Sequence, residues 1–261
     1  MDVSAIRRSL ITLGADLAAC EQMAILGEGN VSARLDAERF VVKASGTQLS
    51  ALRSDHLVAV RYAPLLAALA EEDGAAPMDD ARMEALLLSA RVERAALKPS
   101  VESLFHAWLL RREGVHVVAH AHPVAVNAIL CSPHAAAFAR ERLFPDQVVY
   151  CGEASVLVPY VDPGLVLARA IAAHVAAFME ETGTLPKTIL LENHGAIALG
   201  RTPGEAYAAL AMLEKSARIF AAAAALGGPV FLSPRHVARI AGRPDEHYRQ
   251  RMLSGEARPG A

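Results

Sequence analysis

The sequence predicts an α/β protein layered around one sheet, and three observations point that way. Runs of strand character alternate with segments of helical apolar spacing along the whole chain. Apolar residues make up 53% of the 261 residues while aromatics are only 5%, a balance suited to closely packed helices rather than an aromatic-rich sandwich. No fixed-period repeat and no Ser/Gly linker divides the chain. One domain is therefore expected over residues 1–244, followed by a polar tail at 245–261.

The elements follow in order. Val3, Ile6, Leu10, Leu13, Leu17 and Ala18 recur at helical spacing, so residues 2–23 read as a helix. The turn Gly27-Glu28-Gly29-Asn30 follows, and strands are expected at 31–35, 40–43 and 57–61, the second broken by Ala44-Ser45-Gly46-Thr47. Residues 64–98 carry a helical, one-sidedly charged pattern interrupted at Gly74-Ala75-Ala76-Pro77, read as two helices that are either an insertion or part of the core. Ser100 has the chemistry of an N-cap for a helix reaching Arg112. A buried strand at 115–120 is closed by Pro123, and a helix takes 124–130. Strands are expected at 147–151 and 155–158, then a helix at 165–181, strands at 188–192 and 196–199, and a long helix at 203–225.

Charge and cysteine usage narrow the function classes. With 26 Lys and Arg against 28 Asp and Glu, the net charge of −2 gives no basis for a nucleic-acid-binding surface. Cys20, Cys131 and Cys151 form no CxxC pair and are odd in number, which points to a reducing, cytoplasmic setting. The first residues lack the apolar core of a signal peptide, and no stretch is apolar for long enough to span a membrane. The expected partner is a small molecule.

Four groups of residues have the chemistry of a site. His120 and His122 lie two apart in a strand, so both imidazoles project from one face, an arrangement suited to a first-row divalent metal. His194 sits where a strand breaks at Asn193-His194-Gly195 and completes a set of three histidines with an open position, the pattern of a catalytic rather than a structural site. Glu102, in Pro99-Ser100-Val101-Glu102, either complements a helix dipole or, if it faces the histidines, ligates metal and moves protons. Gly29-Asn30-Val31-Ser32 and Ser45-Gly46-Thr47 read either as hairpin turns or as small-residue cradles for an anion.

The order and company of these groups resemble the class II aldolase/adducin family. The landmarks are Gly29-Asn30-Val31-Ser32, Ser45-Gly46, Pro99-Ser100-Val101-Glu102, His120-Ala121-His122-Pro123, Pro159-Tyr160 and Asn193-His194-Gly195, and the resemblance covers roughly Ile6 to Ala225. It implies a three-layer α/β/α fold with a mainly antiparallel central sheet, assembled as a homotetramer with active sites between subunits. His120, His122 and His194 then correspond to metal ligands, usually of zinc, with manganese, cobalt and nickel as other occupants. Glu102 corresponds to the carboxylate that ligates the resting metal and acts as base. Tyr160 corresponds to a proton donor that reaches into a neighbouring subunit's site. Gly29, Asn30, Ser45, Gly46 and Ser100 correspond to the substrate-binding turns, with Lys43 beside them. The implied reaction is metal-dependent retro-aldol cleavage of a hydroxy-ketone or sugar phosphate, and Glu rather than Asp at position 102 favours cleavage over epimerisation.

Three positions depart from the phosphate-binding pattern. Gly27 and Val101 stand where relatives offer hydroxyls, and Glu28 brings a negative charge to the same turn. Like charges at that range repel, so weak use of ketose 1-phosphates is expected. A decarboxylase of an oxo-acid or dihydroxy-aromatic acid is the alternative reaction. A non-catalytic assembly module like the adducin head is the alternative outside enzymology, and the retained histidines and Glu102 speak against it.

Overall fold

The structure, a computed structural model, describes residues 2–19, 23–71 and 78–243. Its helices are α1 (Val3–Ala19), α2 (Tyr62–Ala70), α3 (Asp80–Ala90), α4 (Ser103–Leu110), α5 (Val124–Leu130), α6 (Ala135–Arg140), α7 (Pro145–Cys151), α8 (Leu165–Thr182), α9 (Pro203–Ala225) and α10 (Pro234–Ala241). The strands are β1 (Asn30–Arg34), β2 (Arg39–Lys43), β3 (Leu57–Arg61), β4 (Val117–Ala121), β5 (Val156–Val158), β6 (Thr188–Leu191) and β7 (Gly195–Gly200). They form one sheet in the order β3-β2-β1-β4-β7-β6-β5. Every pairing is antiparallel except that of β5 with β6.

Side chains alternate across the strands, so each face of the sheet gathers its own apolar cluster. Val31, Ala33, Ala119, Ala196 and Ala198 meet α1, α5, α6 and α9 on one face. Val42, Val118, Ile189, Ile197 and Leu199 meet α2, α3, α4 and α8 on the other. This is the three-layer α/β/α arrangement. Small residues on the first face let the long α9 lie close: Ala206, Ala209, Leu210, Leu213 and Ala217 are all buried at helical spacing.

Several expectations change. Residues 147–151 are the helix α7 and not a strand: Pro145 takes the first turn, and Val148 and Val149 pack on Val237 and Ile240 of α10 while Cys151 enters the main core. Contacts on two sides of one helix override the strand preference of its valines. Ser100 does not cap a helix running from itself. Its hydroxyl accepts from the Glu102 backbone N–H at 3.3 Å in a turn that precedes α4. Of the two alternatives for the segment 64–98, α2 and α3 take the core one, since Tyr62, Leu65, Leu87 and Ala90 are buried in the second cluster. Helices α6 and α10 were not expected. The break at 74–77, Cys20 and the tail at 245–261 lie outside the described residues. Cys131 and Cys151 are both free thiols, and no helix among the described residues is long and apolar enough to cross a membrane.

Candidate metal centre

The centre of the sheet places the histidines. In the β1–β4 register Asn30 lies opposite His120, and in the β4–β7 register Ala121 lies opposite Ala196. His120 therefore rises from β4 beside Asn30, His122 follows from just beyond its end, and His194 comes from the turn entering β7. That turn is tight. Asn193 has φ +54, and the Asn127 amide donates to the His194 carbonyl at 3.0 Å. A Cβ on Gly195 would lie 2.6 Å from the Ala121 carbonyl oxygen and 2.8 Å from the His122 ring. Only glycine allows β7 to approach β4 closely enough to bring the third imidazole in. Gly29 does the same for β1: its φ is +67, and a Cβ there would meet the His120 carbonyl oxygen at 2.6 Å.

One ligand atom from each of His120, His122 and His194 lies within 4.8 Å of the others. The rings meet edge to face with centroids 4.8, 4.9 and 5.0 Å apart. The Nδ1 of His120 is 3.0 Å from the Ala196 carbonyl oxygen. That contact requires Nδ1 to carry the proton, so Nε2 presents a lone pair to its neighbours. Glu102, at the start of α4, turns its Oε1 toward the same space, 3.4 Å from His194 Nε2 and 3.7 Å from His120 Nε2. Burial, then the neighbouring His194, pushes His120 down to about 3, and burial with the two other histidines pushes His122 down to about 4. Both are neutral at pH 7, the state a metal ligand needs.

The remaining sequence-predicted residues lie in separate places. Ser45, Gly46 and Ser100 sit where an Ala44–Pro99 bridge joins the turn after β2 to the turn before α4. The Ser45 N–H is already bonded to the Lys98 carbonyl at 2.9 Å, and the Ser100 N–H to that of Lys43 at 3.3 Å. Lys43 is buried, its ammonium donating to the Thr47 carbonyl at 2.6 Å, and burial lowers its pKa. Glu28 bends back so that Oε2 accepts from the Ile25 N–H at 3.0 Å while Oε1 lies 3.9 Å from His122 Nδ1. It therefore stands at the edge of the histidine cluster. Val101 packs against the second apolar cluster. Tyr160 is not brought to the cluster: it is 55% exposed and its hydroxyl donates to Asp162 at 3.2 Å.

The structure adds residues that sequence reasoning passed over. His106, one turn after Glu102 on α4, is fully buried and touches Ser32 and Asn30, and Asn30 in turn touches Glu102. The i, i+4 spacing of Glu102 and His106 in an apolar helix was the available signal. A cavity of about 710 Å³ opens at the other end of β7, among Tyr150, Lys187, Arg201 and Tyr207. It contains none of the histidines, and the converging donors rather than cavity size mark the site.

Residues 8–221 match the family described as the class II aldolase and adducin N-terminal domain. The chain belongs to the class II aldolase and adducin family. It is 26% identical over 203 residues to YuxG of Bacillus subtilis (strain 168), named an uncharacterized oxidoreductase, covering 75% of this chain and 26% of that protein. The chain thus spans about a quarter of the length of the curated relative it matches. Among solved structures it resembles an L-fuculose 1-phosphate aldolase, with a TM-score of 0.67, 20% identity, and 92% and 96% of the two chains covered. It also resembles YgbL from Escherichia coli, described as a putative aldolase/epimerase/decarboxylase, with a TM-score of 0.66, 21% identity, and 91% and 98% covered. At these identities the likeness shows the class II aldolase fold.

Class II aldolases typically depend on a divalent metal, and the residues here fit one. Three imidazole nitrogens and one carboxylate oxygen are a donor set for zinc or another first-row divalent ion. The His120 Nδ1–H bond to a backbone carbonyl supplies the outer support that such ligands usually have.

Proposed function

We propose that the protein is a metal-dependent carbon–carbon lyase that cleaves a hydroxy-ketone or sugar phosphate by retro-aldol chemistry. The observation that carries this reading is the convergence of His120, His122 and His194 with the Glu102 carboxylate. A divalent cation held by these residues, zinc first among the candidates, supplies Lewis-acid stabilisation of the negative charge that develops on the substrate's carbonyl oxygen. When the bond β to the carbonyl breaks, its electron pair moves toward that oxygen, and the hydroxyl on the departing carbon gives up its proton as the aldehyde forms. That released proton, relayed to the Glu102 carboxylate, is delivered from it to the carbon left behind, and in the condensation direction the carboxylate removes it again. Gly29, Ser45, Gly46 and Ser100 are the residues assigned to hold the rest of the substrate, while the buried Asn30 bears on Glu102.

Tyr160 supports a shared site. Exposed, with its hydroxyl bonded to Asp162, it is assigned to a neighbouring copy in a homotetramer, where its hydroxyl exchanges the proton of the departing oxygen. Decarboxylation on the same residues is the second reading. It is favoured by the apolar packing of Val101 and the Glu28 carboxylate beside His122, both of which weaken a phosphate site.

A product screen separates these readings. Metal-loaded protein is given ketose 1-phosphates, non-phosphorylated hydroxy-ketones and dihydroxybenzoic acids, and aldehyde is scored against carbon dioxide. Chelator-sensitive aldehyde release is the expected result. Carbon dioxide alone would transfer the assignment to the decarboxylase, and neither product would remove the lyase reading.

A further inference from the structure

The polar chain behind Glu102 has only one consistent direction. An ionised carboxylate accepts hydrogen bonds and cannot donate them. The Asn30 side chain, in contact with Glu102 Oε2 through its amide nitrogen, is the donor there. Its carbonyl oxygen is therefore left to face His106 Nε2, which must carry the ring proton. Nδ1 of the same ring is then an acceptor, and the Ser32 hydroxyl 2.6 Å away donates to it. Ser32, His106 and Asn30 are 0%, 0% and 2% exposed, so water does not compete for these bonds. One carboxylate oxygen of Glu102 is consequently fixed from behind, and the other, Oε1, is left facing His194 and His120.

We infer that His106 is the positioning residue for Glu102, acting through Asn30 and held in a single tautomer by Ser32. The inference rests on the reading of Glu102 as the proton-transfer group. Phe105 stacks on the His106 ring with centroids 4.5 Å apart, and a buried polar ring is costly without partners. What the imidazole adds is direction. Its Nε2–H holds the Asn30 carbonyl, which prevents the amide from flipping and turning its oxygen on the carboxylate. An outer support of this kind is typically worth about 10–100-fold in metal affinity or activity.

Three readouts test it. In metal-free wild type, long-range proton–nitrogen NMR should show His106 protonated on Nε2 alone; the Nδ1 tautomer would overturn the proposal. Divalent-ion titration of His106→Leu should show affinity weaker by about 10–100-fold, and its kcat should fall while KM stays near wild type. His106→Gln, whose amide nitrogen reaches the place of Nε2, should recover most of the turnover. A His106→Leu protein with wild-type metal affinity and kcat, or a His106→Gln protein no better than His106→Leu, would refute the positioning role. Wild type that binds no divalent ion and cleaves no substrate would instead refute the lyase reading, and the tautomer measurement would then decide the hydrogen-bond chain by itself.

Discussion

Two buried polar networks among the described residues end differently. Around Arg142 the guanidinium donates to the Gly152, Ala139 and Glu141 carbonyls and to the Ser155 hydroxyl, at 2.7, 3.1, 2.9 and 3.1 Å. Ser155 continues to Thr188 at 2.7 Å, and Thr188 to the Cys151 carbonyl at 3.2 Å. This network is closed: its donors meet main-chain and hydroxyl acceptors, and it ties α6 and α7 to β5 and β6. The network from Ser32 through His106 and Asn30 instead ends on a carboxylate oxygen whose twin faces the imidazoles of His120 and His194. A closed network stabilises the fold, whereas an open one presents donors to something the chain itself does not supply.

Substitutions should separate the two. Glu102→Gln, at the open end, is expected to lose about 10²–10⁴-fold in turnover with an unchanged melting temperature, measured by steady-state kinetics and calorimetry on the same preparation. Arg142→Met, in the closed network, leaves several buried acceptors without a donor. It should cost on the order of 3 kcal/mol in denaturant unfolding, with kcat of the folded protein unchanged. If Glu102→Gln destabilised and Arg142→Met only slowed turnover, the distinction between the networks would collapse.

The two networks also respond differently to acid. His120 and His122 titrate near 3 and 4 in the folded chain because burial disfavours their charged forms, against about 6.5 when unfolded. Between those values the unfolded state binds more protons, so unfolding becomes easier as pH falls from about 6.5 toward 4. The metal-free protein should show this loss, and replacing His122 with Asn should reduce it, since His120 keeps its own lowered value. Arg142, lowered only to about 10 by burial, keeps its charge throughout this range and contributes no slope.

How much of this was legible in the sequence depended on the distance over which the signal acts. His120 and His122 announce themselves because strand alternation alone puts two imidazoles on one face. Gly195 and Gly29 looked like turn residues, and only the register of β7 and β1 against β4 shows that each makes room for a backbone crossing close to the histidines. His106 stayed hidden because Ser103-Leu104-Phe105-His106-Ala107-Trp108 reads as an apolar helix, and its partners Asn30 and Ser32 are more than seventy positions away. The valines of α7 suggested a strand because the contacts that make it a helix come from α10 and from the main core, which no local pattern contains.

The smallest effect concerns specificity at the rim of the open network. Glu28 faces His122 and Val101 is committed to the apolar core, so Glu28→Ala combined with Val101→Ser is expected to lower KM for ketose 1-phosphates several-fold. A KM that does not change would mean that the Glu28 carboxylate is screened from the bound phosphate.

The central claim is that the open network builds a metal centre from His120, His122, His194 and Glu102, and metal stoichiometry tests it most directly. Equilibrium dialysis of wild type and His194→Ala against zinc, with circular dichroism confirming that both are folded, is expected to give one tightly bound ion per chain in wild type and none in the variant. Equal binding by the two proteins, or none by wild type, would contradict it.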